Sequence, residues 1–319
     1  MTIAWQPSAS LEMVKARAQL LRTIREFMST QGILEVETPV LGHAAISDPN
    51  IQSFVTTFHH PAKTTEEKLF LHTSPEYAMK RLLASGSGPI YQIVHVFREE
   101  EAGKFHNPEF TMLEWYQTGF DHYKLMEQLD ELLQSLDFQP TERKTYAGLF
   151  ENNTGINPHT AELKELQDIA KKNGLVTLTN NRSDLLDYIF SHVVTPDLGQ
   201  TRPLYVFEYP ACQSALARLT ETIPPVAERF ELFVHGLEIA NGYHELCDVS
   251  EQKQRFEADI ARRQASGKPV QPLDENFLAA LTAGLPPCAG VSVGLDRLLM
   301  VMNNLADISD VITFPINRI

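Results

Sequence analysis

The sequence predicts an α+β fold in which a mainly antiparallel sheet is flanked by helices. Three observations point there. Alternating apolar residues mark several strands. Short turns, not helical crossovers, join neighbouring strands. The helical stretches fall irregularly between them, without the β-α-β rhythm of a doubly wound sheet. With 319 residues, 43% of them hydrophobic and 21% charged, the chain can bury a core without disulfides.

The first helix is predicted from about Ser10 to Gln31. Leu11, Val14, Ala18, Leu21, Ile24, Phe27 and Met28 follow helical spacing, Ser10 caps the start and Gly32 ends it. "ILEVETPVL" then alternates as a strand, with Pro39 near its end. "SPEYAMKRLLASG" is a short helix with Ser74 as N-cap, Pro75 at the first helical position and Glu76 in the first turn. "IYQIVHVFREE" and "PEFTMLEWYQ" are strands joined by a polar loop over 99–107, and a helix follows from about Asp121 to Leu136.

Residues 139–201 read as a polar, helical insertion in a single domain spanning 1–319. Strand character resumes at "PLYVFEYP". "RFELFVHGLEIANGYHEL" is a hairpin turned at His235-Gly236, with a second turn signal at Asn241-Gly242. A long polar helix runs from about Ser250 to Ser266. Finally "GVSVGLDRLLMVMNNL" passes as a strand through Gly294 into an apolar helix.

Composition removes some function classes. A net charge of −14 argues against a broad nucleic-acid footprint, which needs clustered Lys and Arg. Cys212, Cys247 and Cys288 are far apart, with no C-x-x-C spacing. The expectation is a reduced protein without a structural zinc site. No stretch offers ~20 uninterrupted apolar residues for a membrane span, so a cytoplasmic location is expected.

The chemistry concentrates in three places. On the strand "PEFTMLEWYQ", period-two alternation puts Phe110, Met112, Glu114 and Tyr116 on one face. Rings beside a carboxylate suit a pocket for a cationic ligand better than a wet surface. Just upstream, Arg98, His106 and Asn107 are donors suited to phosphate. In the hairpin, pairing Phe233 with Glu238 sets Glu231 opposite Ala240, so Glu231 and Glu238 form a diagonal pair of like charges. Either an arginine such as Arg229 or Arg297 neutralises them, or they hold Mg²⁺ with substrate phosphates. In "GVSVGLDR", Gly294 permits close backbone approach, and Arg297 could lie over a ring or hold a phosphate.

Taken in order, "LEVETPVL", "FREEEAGKFHNPEFTMLEWYQ", "ELFVHGLEIANGYHELCD" and "GVSVGLDRLLMVMNNLADISDVITFP" resemble the motifs of class II aminoacyl-tRNA synthetase catalytic domains, lysyl subgroup. The resemblance covers most of the chain and is weakest over 117–202. Only about ten residues precede the first helix, too few for the five-stranded anticodon-binding barrel of lysyl-tRNA synthetases. The chain therefore resembles the free-standing paralogues that modify elongation factor P with β-lysine, and the expectation is a lone catalytic core that does not act on tRNA. The alternative is a lysyl-tRNA synthetase-like enzyme charging tRNA or another acceptor with α-lysine. A homodimer through the first helix and strand around Pro39 is also implied.

The resemblance implies ATP and Mg²⁺ as cofactors and assigns roles residue by residue. Arg98 would hold the α-phosphate and His106 the γ-phosphate. Glu100 and Asn107 would contact adenosine, with Phe110 stacking under the adenine and Arg297 covering its other face. Glu99 and Gly294 belong to the same nucleotide segments, and the Ile239 backbone lies near the nucleotide. Glu231 and Glu238 would bind Mg²⁺. For the amino acid, Glu245 and Tyr116 would receive the distal ammonium and Glu76 the other amine. Ser74, Pro75 and Asn241 would add contacts, and Glu114 would complete the acidic wall. The sequence departs from the pattern twice. Glu99 stands where asparagine is usual. Ser292 stands where lysyl-tRNA synthetases commonly carry glycine and β-lysine ligases alanine, which narrows the space around the backbone amine.

Overall fold

The computed structural model describes residues 5–62, 65–177 and 179–319. The chain divides into two compact units. The first comprises 1–119, 247–288 and 292–319; the second comprises 120–246 and 289–291.

The first unit opens with α1 (Leu11–Thr30), where the Ser10 hydroxyl accepts from the Met13 N–H at 3.2 Å. Gly32, at φ 68°, turns the chain out of the helix. The strand expected over 33–41 forms only as two short pieces, β1 (Leu34–Glu35) and β2 (Leu41–Gly42). Pro39, which has no N–H for a ladder, lies between them. β3 (Val55–His59) and β4 (Glu66–Leu71) complete a small antiparallel sheet in the order β2-β4-β3, which the sequence reading lacked.

Next come α2 (Glu76–Ala84), β5 (Ile90–Phe97) and β6 (Glu109–Thr118). Helix α2 begins one residue later than expected, with Pro75 at the N-cap, although the Ser74 hydroxyl still accepts from the Glu76 N–H at 3.0 Å. β5 and β6 pair antiparallel from Ile90↔Tyr116 to Phe97↔Glu109, and β1 adds to β5 in parallel.

The second unit holds α3 (His122–Ser135), β7 (Glu142–Thr145), α4 (Tyr146–Thr154), α5 (Leu163–Lys172), α6 (Arg182–Ile189), β8 (Leu204–Pro210), β9 (Val226–Val234) and β10 (Leu237–His244). The stretch 139–201 thus contributes a strand as well as helices. Tyr146, Phe150, Leu166, Leu186, Ile189 and Phe190 build a core there, with the Tyr146 and Phe190 rings stacked at 4.3 Å. His235 and Gly236 both take positive φ, 51° and 74°, and turn the β9–β10 hairpin as expected.

Asn241-Gly242 is no turn: it lies inside β10. A Cβ on Gly242 would come within 2.4 Å of the Phe230 ring, so the missing side chain makes room for that buried ring. The hairpin register also differs from expectation. Glu238 does pair with Phe233, but a bulge between Glu238 and Ala240 moves Glu231 opposite Asn241 instead of Ala240.

The chain returns to the first unit with α7 (Val249–Ala265) and α8 (Glu275–Gly284). Tyr77 of α2 stacks on Phe277 of α8 at 4.7 Å. β11 (Cys288–Gly294) and α9 (Leu295–Met302) follow, as the strand-into-helix reading expected. β11 is divided, with 289–291 in the second unit and the rest in the first. Strand order is β1-β5-β6-β11 in the first unit and β11-β10-β9-β8-β7 in the second. The outer strands β1 and β7 join in parallel, while β5–β6, β8–β9 and β9–β10 are antiparallel.

Candidate active site

In the first unit, the face of β6 that carries Phe110, Met112, Glu114 and Tyr116 becomes steadily more buried along the strand. Glu114 is only 3% exposed. Its two oxygens accept from the Ser74 hydroxyl at 2.8 Å and the Tyr116 hydroxyl at 2.6 Å. Burial, and then the negative charge of Glu76, push its carboxyl pKa up to about 7, against the pull of those two donors and of Lys80. Glu76 is held by Lys80, whose ammonium lies 2.5 Å away and is almost fully buried. The sequence reading passed over Lys80; its i,i+4 spacing from Glu76 was the available signal. Ser74, Pro75 and Glu76 also line a cavity of about 120 Å³ with Arg81, Tyr77 and Asp274.

The nucleotide candidates Arg98, His106, Asn107, Phe110 and Arg297 lie in the same unit. Arg98 follows β5, its guanidinium 5.2 Å from the Phe110 ring centroid and 3.1 Å from Glu101. A cation over this ring is an arrangement worth roughly 0.5–2 kcal/mol. Arg297, in the first turn of α9, donates to the Phe105 carbonyl at 3.1 Å and lies 2.6 Å from His106 Nε2. The structure therefore brings Arg98 to Phe110 and Arg297 to His106.

Asn107 is committed to the fold. Its amide donates to the Glu109 carbonyl at 2.7 Å and accepts from the Ile316 N–H at 3.0 Å. Glu99 and Glu100 sit in the turn after β5, Glu100 near Lys268 at 3.7 Å. Gly294 is the N-cap of α9 and Ser292 is half-buried on β11.

Two residues behind these were missed. Asp296 is buried beside Arg297; it ion-pairs with Arg17 of α1 and accepts from the Thr111 N–H of β6 at 2.7 Å. It thereby fixes α9 against the strand that carries Phe110. Nothing in "GLDR" announces a partner on a helix 279 residues away in the chain.

In the second unit, Glu231, Glu238 and Asn241 share one face of the β9–β10 hairpin. Glu231 is ion-paired with Arg229, accepts from the Tyr209 hydroxyl at 2.7 Å and from the Asn241 amide at 3.3 Å. Burial disfavours the Arg229 cation, but Glu231 together with Tyr243, Tyr209 and Glu238 outweighs it and keeps the guanidinium firmly charged. The arginine partner foreseen as one reading of Glu231 is present, and it is Arg229. Ile239 sits at the bulge, so its backbone leaves the regular ladder. Glu245, just past β10, is 1% exposed.

Among the described residues no helix is long and apolar enough to cross a membrane. The sequence matches the family described as tRNA synthetases class II (D, K and N) over residues 3–318. It is 49% identical over 316 residues, 98% of each chain, to a Pasteurella multocida protein named elongation factor P–(R)-β-lysine ligase. Proteins of the same name from Pseudoalteromonas translucida and Salmonella paratyphi B are 46% and 44% identical over 318 and 321 residues, 98% and 99% of each chain. A family match of this extent settles the assignment: the chain belongs to the class II tRNA synthetases of the D, K and N group.

Proposed function

We propose that this protein is an AMP-forming ligase that activates (R)-β-lysine with ATP and transfers it to a lysine side chain of elongation factor P. The observation that carries the substrate half is Glu114, a buried carboxyl seated between Ser74 and Tyr116 next to Glu76. Such an acidic receptor suits a substrate with two amines. The acceptor half rests on the printed names of the relatives.

The substrate carboxylate attacks the α-phosphorus of ATP, the bond to the β-phosphate oxygen breaks, and pyrophosphate leaves. The acceptor amine then attacks the acyl carbon and AMP departs with the bonding pair. No covalent enzyme intermediate is needed; the chain's work is positioning and electrostatics. Arg98 neutralises charge growing on the α-phosphate and Phe110 supplies the adenine platform. Arg297 and His106 serve the adenine and the outer phosphates, while Asn107 holds the loop that presents His106. Glu76, Glu114 and Tyr116 receive the amines.

Glu231 and Glu238 fit Mg²⁺ by donor chemistry, two hard carboxylates on one strand face. Glu231 is already oriented by Arg229, Tyr209 and Asn241. The ion, when bound, neutralises phosphate charge. Residues 1–319 act as one catalytic domain in a homodimer, in the cytoplasm and without tRNA as substrate.

Pyrophosphate exchange into ATP tests the activation step. The expected order is β-lysine well above α-lysine, with norleucine inactive because it leaves buried carboxylates unmatched. Ser292→Gly should shift preference toward α-lysine. Equal exchange with norleucine would overturn the amine-receptor reading, and unchanged selectivity in Ser292→Gly would remove Ser292 from it.

A further inference from the structure

The second unit contains a polar cluster that the proposed reaction does not use. His122 is the first residue of α3, Glu228 lies on β9 and His244 ends β10. One ligand atom from each lies within 4.8 Å of the other two. Among the described residues this is the one group of three or more such side chains so arranged.

His122 is 4% exposed, and neither of its ring nitrogens has a hydrogen-bond partner. An imidazole buried with both nitrogens unmatched is costly and calls for an explanation. Glu228 Oε2 and His244 Nδ1 approach to 2.6 Å, yet neither atom completes a hydrogen bond, so the pair is close but badly aligned. Arg218 Nε stands 3.6 Å from the same Glu228 oxygen, too far to satisfy it. Tyr123 covers His122, ring to ring at 4.0 Å.

We infer that His122, Glu228 and His244 form a binding site for a divalent transition-metal ion of the zinc class. Two imidazoles and one carboxylate are the donor set of three-ligand zinc sites, with further positions left for water. Imidazole donors favour Zn²⁺, Co²⁺ or Ni²⁺ over Mg²⁺. Bonds of about 2.0–2.2 Å require ligand atoms about 3–3.5 Å apart, so side-chain movements of around 1 Å would complete the sphere. Burial already drives His122 toward the neutral form that a metal needs, its pKa lowered to about 4. Such a site runs against the expectation of no structural zinc site, which rested on cysteine spacing and took no account of histidine and carboxylate donors. The bound ion would tie the start of α3 to β9 and β10, a structural role independent of the proposed reaction.

The test is a Co²⁺ titration of the full chain after chelator treatment, read by visible d–d absorption, then displacement by Zn²⁺. The expected result is one Co²⁺ per chain, with micromolar or tighter affinity. His122→Ala and Glu228→Gln should each weaken it by on the order of 100-fold. Far-UV circular dichroism identifies any variant that misfolds, and the near-isosteric Glu228→Gln guards against that outcome. No absorption at millimolar Co²⁺ would overturn the inference. So would binding that both folded variants retain within twofold, or binding abolished by alkylating the cysteines but indifferent to His122.

Discussion

Glu114 shows how much one residue's surroundings decide. In water a glutamate ionises near 4.5, but here burial, reinforced by Glu76, raises that to about 7. Between those values the folded chain holds a proton that the unfolded chain has lost. Stability of the ligand-free protein should therefore fall as pH rises through that window, by up to roughly 3 kcal/mol. Glu114→Gln keeps the Ser74 and Tyr116 contacts without the titration. Urea unfolding at pH 5 and pH 8 should show a smaller loss for the variant than for the wild type; equal losses would contradict the assignment. The same variant should lose β-lysine activation by on the order of 10²–10³, since a binding charge is gone. Period-two alternation was enough to place Glu114 with Phe110 and Tyr116. Its hydroxyl partner Ser74, forty residues upstream, and the Lys80 that balances Glu76 depend on tertiary packing that no local pattern encodes.

At the scale of elements, the sequence was most readable where caps and periodicity agree. Helix α1, with Ser10 before it and Gly32 after it, runs where expected. It was least readable where one residue type serves two purposes. Asn-Gly is a strong turn signal, yet Gly242 belongs to a strand because Phe230 fills the space its side chain would take. The bulge at Ile239 shifts the hairpin register by one residue, and alternation alone carries no sign of it. The join between α9, α1 and β6 runs through Asp296, buried with Arg17 and the Thr111 N–H as partners. Asp296→Ala leaves the Thr111 N–H unmatched and takes the carboxylate from Arg17, which keeps the Val311 carbonyl, and should cost about 2–4 kcal/mol. Thermal unfolding should report a drop of several degrees, with weaker ATP binding as Arg297 and Phe110 lose their mutual alignment. A melting temperature within one degree of wild type would refute that anchoring role.

For the whole molecule, the family and fold class were legible because four motifs recur in order, each carrying chemistry that constrains its residues. The division into two compact units was not, since contact density over 139–201 arises from packing of Tyr146, Phe150 and Phe190. Exposed apolar side chains on α1, β1 and β2, notably Leu11, Val14, Leu34 and Leu41, fit the proposed homodimer. Light scattering should give twice the chain mass of 36.0 kDa, and Leu11→Glu should shift it toward the monomer; a monomeric wild type would remove the dimer from the account. Purified elongation factor P, incubated with this protein, ATP, Mg²⁺ and β-lysine, should gain one lysyl-sized increment by intact-mass spectrometry, in higher yield than with α-lysine, and none with Arg98→Ala. No gain with either isomer, while AMP is still formed from ATP and lysine, would contradict elongation factor P as the acceptor.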